Sequence, residues 1–450
     1  MSLSQVAKAL KGQQSGADVH FQHVCIDSRC AAAGDLFVAI KGDNFDGHAF
    51  VDQAISNGAC GAVVEQLQQH AANQIVVPDA IEALGELGAL NRAAFKGKVI
   101  GLTGSVGKTT TKDMLSSILS RTGGVLATQG NRNNEIGLPL TLLDLAPQHQ
   151  FAVLEMGAAQ LGDINYLTRL ARPDVALVTR VVAAHLEGFG SLENIAKTKG
   201  EIFAGLTDDG VAVINLDCPF AAGWLAGLKQ QRLVRFSISD AASDVYASEL
   251  QLQTNQHWSF RLHTPVGDAP VELPVLGAHN ITNAIAAAGV AVAVGIELSD
   301  ICEGLQNFVS TGQRMQVRKG LHGAVLIDDS YNANPDSVKA ALDVLAAYPG
   351  ARFFIFGDMA ELGENAEKLH TEIGEYVRAR GIEQFVTVGK LSAFAARAYG
   401  ESARAFDDRN AAAEYCATLL SGDHVALVKG SRSAGMEHLV ASLCADGEVS

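Results

Sequence analysis

The apolar run Lys98-Val99-Ile100 feeds straight into GLTGSVGKTTTKDML at 101–115, and no other segment constrains the fold as much. A strand, a glycine turn and a helix in that order place an α/β sheet here, with the turn at the carboxyl end of a strand. Unpaired N–H groups at the helix start and the positive end of its dipole favour an anionic phosphate. Gly104 and Gly107 let the main chain of Ser105 and Val106 approach closely, and Lys108 supplies a point charge. The Thr109 hydroxyl suits Mg²⁺, and Thr110 continues the first helical turn. The general pattern wants glycine where Leu102 stands, and the nearest upstream glycine is Gly101. Strand, TGSxGKTT and helix in sequence still predict an ATP site rather than a turn that binds nothing.

A chain of 450 residues has room for three domains. Short strands at 35–40, 61–65 and 74–78, with a helical stretch at 49–57, predict a small α/β N-terminal domain over 1–95. From 96 to 312 the apolar runs at 151–157, 174–181 and 210–217 join the phosphate-loop strand in a central parallel sheet of the P-loop ATPase type. The stretch 235–272 reads as antiparallel strands. From 313 to 450 strand and helix alternate again, which predicts a C-terminal Rossmann-like domain without a GxGxxG dinucleotide motif.

With 34 basic against 49 acidic groups the net charge is −15, so phosphates must be handled by local devices, and nucleic acid is excluded as a partner for want of a basic footprint. Seven scattered cysteines without a CxxC pair argue against disulfides or a thiolate zinc site and for a reducing cytoplasm. The longest apolar run, 284–296, is too short to cross a bilayer, so membrane insertion is not expected.

In a parallel sheet ligands sit beyond the carboxyl ends of the strands, which puts Thr103, Glu155 and Arg180 on one rim. Glu155, closing the strand FAVLE, can hold the Mg²⁺ that nucleotide phosphates bring. His185, in AHLEGFGS, follows the next strand. Lys199, in AKTKGEIF, is cationic and no Mg²⁺ ligand, yet carbamylation by CO₂ would make it an anionic oxygen ligand. On residue type alone Lys197 serves equally well.

The segments TGSVGKTT (103–110), GNRNNEIGLPLTLL (130–143), EMGA (155–158), AHLEGFGS (184–191), AKTKGEIF (196–203), GAHNITNAIAA (277–287) and DDSYNANPDSVKAAL (328–342) occur in the order seen in the Mur ligases, which the chain resembles over almost its whole length. The resemblance implies an ATP-dependent amide ligase of peptidoglycan-precursor synthesis that passes through an acyl phosphate. DSR (27–29), GDLFVAIKGDNFDGHAF (34–50), GDMAELG (357–363) and VKGSRSAGMEHLV (428–440) are similar to members joining D-alanyl-D-alanine to UDP-N-acetylmuramoyl-tripeptide.

Carried over position by position, the likeness implies Lys108 and Thr109 at the phosphates and first Mg²⁺, with Glu155 as a metal ligand. It implies His185 and carbamylated Lys199 at a second Mg²⁺, the KGEIF register preferring Lys199 to Lys197. Asn280 and Asn283 resemble adenine-side asparagines, and Arg314 and Asp329 resemble groups brought to the γ-phosphate and ribose. Ser28, Arg29, Asp46, Gly47 and His48 fall in segments similar to those that recognise the uridine diphosphate end. A leucine at position 102 is usual in this family, whereas Arg180 stands where an asparagine is usual. The implied catalytic set is Lys108, His185, Lys199 and Arg314, in a cytoplasmic monomer whose three domains close by rotation near 96 and 312. The competing expectations are a sibling ligase adding another group and a P-loop ATPase switch that makes no product.

Overall fold

The structure, a computed structural model, describes residues 1–445 except 43, 44, 70, 184, 185, 229 and 311, and of residue 186 only the backbone. Its described strands form three sheets, each drawn from one continuous stretch of chain. The first holds β1 (Gln13–Ser15), β2 (His23–Cys25), β3 (Asp35–Val38), β4 (Gly61–Val64) and β5 (Gln74–Val76), in spatial order β1-β5-β4-β3-β2. Only β1 runs antiparallel to its neighbour. Every residue of β3 and β4 is buried, as expected for parallel strands covered on both faces. The helix Ala80–Ala94, whose first amides are capped by the Asp79 carboxylate, leads to the second sheet.

That sheet holds β6 (Lys98–Thr103), β7 (Gly124–Ala127), β8 (His149–Glu155), β9 (Val175–Val178), β10 (Val211–Asn215), β11 (Arg232–Ser237), β12 (Val245–Leu252), β13 (His257–Thr264) and β14 (Gly267–Leu276). Their order is β14-β13-β12-β11-β10-β9-β6-β8-β7, parallel from β12 through β7. The chain leaves β6 for the far edge, returns through β8 and then crosses to β9 on the other side of β6. The carboxyl end of β6 is therefore a topological switch point, where α/β sheets hold ligands.

The antiparallel reading of 235–272 needs correction at its start. Antiparallel pairing belongs to β12, β13 and β14, whereas β11 runs parallel to both β10 and β12. The last two residues of β11 pair with the first two of β12, so a short detour lets the strand carry on in the same direction instead of doubling back. Two cores cover the sheet. One gathers Met114, Leu115, Ile118 and Leu119 from the helix Lys108–Leu119 with Ile281, Ala284 and Ala288 from the helix His279–Ala293. Full burial of each larger side chain contributes about 1.5–3 kcal/mol. Among the described residues no helix is long and apolar enough to cross a membrane.

The third sheet holds β15 (Gln316–Lys319), β16 (Val325–Asp329), β17 (Ala351–Gly357), β18 (Gln384–Val388), β19 (Arg404–Phe406) and β20 (His424–Lys429), in order β15-β16-β20-β17-β18-β19. All neighbours are parallel except the pair of β15 with β16. The run RFFIFG shows why β17 is central: Phe353 and Ile355 enter one core, Phe354 and Phe356 the other.

Candidate active site

The carboxyl end of β6 becomes an anion cradle because its carbonyls point away from the cavity. The Thr103 carbonyl accepts the Thr179 N–H at 2.8 Å. Lys108 Nζ donates to the Gly104 and Ser105 carbonyls at 2.8 and 3.3 Å, and Thr179 Oγ1 donates to the Val106 carbonyl at 2.7 Å. Gly107 caps the following helix at φ +82° with no side-chain cap, leaving the first helical amides for a ligand. A Cβ at Gly107 would stand 2.4 Å from Asn283 Oδ1, so this close approach admits no larger residue without displacement.

Thr109 Oγ1 donates to Glu155 Oε2 at 2.8 Å, and Asn133 Nδ2 donates to Glu155 Oε1 at 3.0 Å. These neighbours pin a 3%-exposed carboxylate beside the phosphate loop. The hydroxyl and carboxylate are hard oxygen donors at the place where nucleotide phosphates would lie, so they fit Mg²⁺.

Lys199, on the helix Leu192–Gly200, is 2% exposed. Among the described residues its Nζ has no hydrogen-bond or ion-pair partner, and it lies 5.7 Å from the centroid of the Phe189 ring. Burial, reinforced by the charge of Lys108, pulls its pKa down to about 7. Burial likewise lowers the pKa of Lys108. His185 lies outside the described residues.

The third sheet closes the site. Arg314 reaches across to donate from Nη2 to Thr109 Oγ1 at 3.1 Å, with its guanidinium 4.0 Å from the centroid of the Tyr331 ring. Asp329, ending β16, accepts the Met315 N–H at 3.2 Å and pairs with buried Lys429 at 2.5 Å, while Lys429 also donates to the Asn332 carbonyl at 2.9 Å. Asn280 and Asn283 stand in the first turns of the helix His279–Ala293 and bond to each other at 2.8 Å. His279 opens that helix, and burial lowers its pKa.

A cavity of about 600 Å³ brings together Ser105, Val106, Gly107, Lys108, Thr109, Thr110, Glu155, Lys199, Asn280, Asn283, Arg314 and Asp329. Gly104 stands behind it, bonded to Lys108. Asn133, Thr179, His279, Tyr331 and Lys429 also line it, although sequence reasoning gave them no role. Asn133, His279, Tyr331 and Lys429 lie inside the matched motifs, which was the available signal. Thr179 gave none, because a threonine ending an apolar strand looks like any β-former. Arg180 lines the cavity and is exposed, and its carbonyl accepts the Ser105 N–H at 2.7 Å.

Ser28, Arg29, Asp46, Gly47 and His48 belong to the first part of the chain and are not among the residues that wall this cavity. Ser28 is buried and donates to Gln53 Oε1 at 2.9 Å. Arg29 is exposed and pairs with Asp27, whose carboxyl that contact holds down at about 2. His48 contacts Asp46 through Nδ1 at 2.6 Å and accepts the Glu65 N–H on Nε2 at 2.9 Å, so both ring nitrogens serve local structure. Gly47 is buried between them.

The chain matches the Mur ligase family catalytic domain over residues 20–92, the Mur ligase middle domain over 102–291 and the Mur ligase glutamate ligase domain over 313–432. It is 42% identical, over 99% of both chains, to the UDP-N-acetylmuramoyl-tripeptide--D-alanyl-D-alanine ligase of Escherichia coli. Identity to the Bacillus subtilis enzyme of the same name is 34%, over 88% of this chain and 86% of the other. Among solved structures, MurF from Acinetobacter baumannii superimposes with a TM-score of 0.91 at 37% identity, covering 98% of each chain. MurF ligase from Thermotoga maritima, in complex with ADP, gives 0.82 at 28% identity over 94% and 96% of the two chains.

Proposed function

The chain belongs to the Mur ligase family, and from that we infer that it is the ATP-dependent ligase joining D-alanyl-D-alanine to UDP-N-acetylmuramoyl-tripeptide in peptidoglycan-precursor synthesis. One geometric observation carries the reading: Arg314, from beyond the central sheet, bonds to Thr109 of the phosphate loop, within the cavity that also holds Glu155 and buried Lys199.

The chemistry follows from charge. A carboxylate has no good leaving group at neutral pH, so the tripeptide carboxylate must first attack the γ-phosphorus of ATP. An O–P bond forms, the bond to ADP breaks, and an acyl phosphate results. The dipeptide amine then attacks the acyl carbon, a C–N bond forms, and phosphate departs with the former carboxylate oxygen. Lys108 and Arg314 offset the repulsion between acceptor and triphosphate. Thr109 and Glu155 would hold one Mg²⁺, and His185 with carbamylated Lys199 a second. Bound there, these ions would neutralise phosphate charge. Asn280 and Asn283 serve the adenine side, and Asp329, braced by Lys429, the ribose. Ser28, Arg29, Asp46, Gly47 and His48 shape the segments that take the uridine diphosphate end, His48 and Ser28 by bracing them.

The parts 1–95, 96–312 and 313–450 close over the substrates and exclude water from the acyl phosphate. Scattering that showed no compaction with the acceptor, the dipeptide and an ATP analogue together would count against closure. The reading includes activity as a monomer, and use of ATP suits the cytoplasm.

The decisive experiment measures phosphate release with each substrate omitted in turn, using ¹⁸O-labelled acceptor. Release that needs all three substrates and carries label into phosphate is expected. Release without acceptor indicates an ATPase, and release with a shorter peptide stem indicates a sibling ligase. Unlabelled phosphate would exclude the acyl phosphate.

A further inference from the structure

A loop can hold phosphate through its amides only while its carbonyls are held off, since one carbonyl turned into the cradle places a negative dipole against the anion. In this chain the carbonyl nearest the helix is that of Val106, whose residue forms an isolated backbone bridge with Arg180 and which receives no bond from the loop lysine. It is held by the Thr179 hydroxyl at 2.7 Å. The same hydroxyl lies 3.2 Å from the Thr103 carbonyl, but it has one proton, and the shorter contact takes it.

Thr179 is 3% exposed and closely fixed. Its N–H donates to the Thr103 carbonyl at 2.8 Å, and its own carbonyl accepts from Asn215 Nδ2, on β10, at 2.9 Å. Asn215 is itself buried. The adjoining Arg180 carbonyl takes the Ser105 N–H at 2.7 Å. The loop also makes room for the hydroxyl: a Cβ at residue 104 would stand 2.1 Å from Thr179 Oγ1. The glycine there is therefore fitted to the threonine as well as to its own φ of +151°.

We propose that Thr179 is a positioning residue for ATP, its hydroxyl holding the Val106 carbonyl away from the phosphates so that the loop amides face them. It need not touch the nucleotide itself. The inference rests on the reading of this cavity as the ATP site, and its test separates the two.

Thr179→Val keeps the shape and removes the donor, and Thr179→Ser keeps the donor. ADP affinity by calorimetry and the KM of each substrate are measured for both, with the melting temperature. Thr179→Val is expected to weaken ADP binding and raise the KM for ATP about tenfold, the worth of one well-placed hydrogen bond. The KM values for the nucleotide-sugar acceptor and the dipeptide stay unchanged, and Thr179→Ser restores ADP binding. An ADP affinity in Thr179→Val within about twofold of the unsubstituted chain overturns the proposal. So does a loss shared equally by all three substrates, or one that serine does not restore. Should the valine variant not fold, Thr179→Cys, a weaker donor, is expected to give a smaller ADP-selective loss, and its absence overturns the proposal equally. Failure of the unsubstituted chain to bind ADP would instead remove the reading of the site.

Discussion

Two helices in this molecule leave parallel strands through short polar turns, yet their first amides are treated in opposite ways. The helix Lys108–Leu119 follows β6 and starts at Gly107 without a side-chain cap. The helix Pro335–Ala347 follows β16 and starts at Asn334, whose side chain accepts the Ser337 N–H at 2.9 Å while Ser337 Oγ accepts the Asn334 N–H at 3.0 Å. Proline at its first position removes one further donor. One helix start is left open for a ligand and the other is closed on itself. The third sheet therefore serves the cavity through side chains, Asp329, Tyr331 and Lys429, whereas the central sheet adds loop amides to side chains such as Glu155. The same α/β unit thus builds an anion cradle or a rigid support according to its capping residue.

The contrast breaks most severely if the charges at the open end are removed. Lys108→Ala and Lys199→Ala should each lower turnover by at least about a thousandfold, measured as phosphate release. A short-chain carboxylate should restore part of the Lys199→Ala activity, and full activity in the untreated variant would remove the carbamate. Next comes the turn itself. Gly107→Ala forces a side chain onto φ +82° and against Asn283, and should weaken ADP binding by about 10- to 100-fold.

A smaller effect sharpens the electrostatic side of the comparison. The Lys199 pKa is lowered to about 7, so the amine is protonated below that pH and neutral above it, and only the neutral form takes up CO₂. In metal-free protein held at the same dissolved ¹³CO₂ concentration, labelling of Lys199 should begin about tenfold faster at about pH 8 than at about pH 6. Equal rates would sink the assignment. The smallest effect belongs to the closed helix. Asn334→Ala should cost about 1 kcal/mol of stability by denaturant titration. ADP affinity should fall by less than in Gly107→Ala, because Asn334 and Ser337, though they line the cavity, are bonded to each other.

Much of this was legible beforehand because period and turn chemistry are local. The phosphate loop and the run ending in Glu155 fall where their patterns put them. The direction of β11 was not legible, since an alternating run reads the same whichever way its neighbour runs. The short edge strands β1, β15 and β19 also gave no signal, with three or four residues each and little burial. Asp329 and Lys429 are far apart in sequence and form a buried pair only because β16 and β20 are neighbours in the sheet.

The sequence by itself settled the chemistry on offer: glycines where a loop must approach phosphate, a lysine and threonine at the helix start, carboxylates at strand ends, and the family order of motifs. Residue type and local spacing suffice for that, because dihedral freedom, charge and helix dipoles act over a few residues. Only the tertiary structure decided which groups meet. It set Arg314 on Thr109, withdrew His48 and Ser28 into local bracing, buried Lys199 until its charge became costly, and turned Thr179 onto the loop carbonyls. Those outcomes depend on strand order and burial, which arise from contacts between residues distant in the chain and which no local pattern encodes.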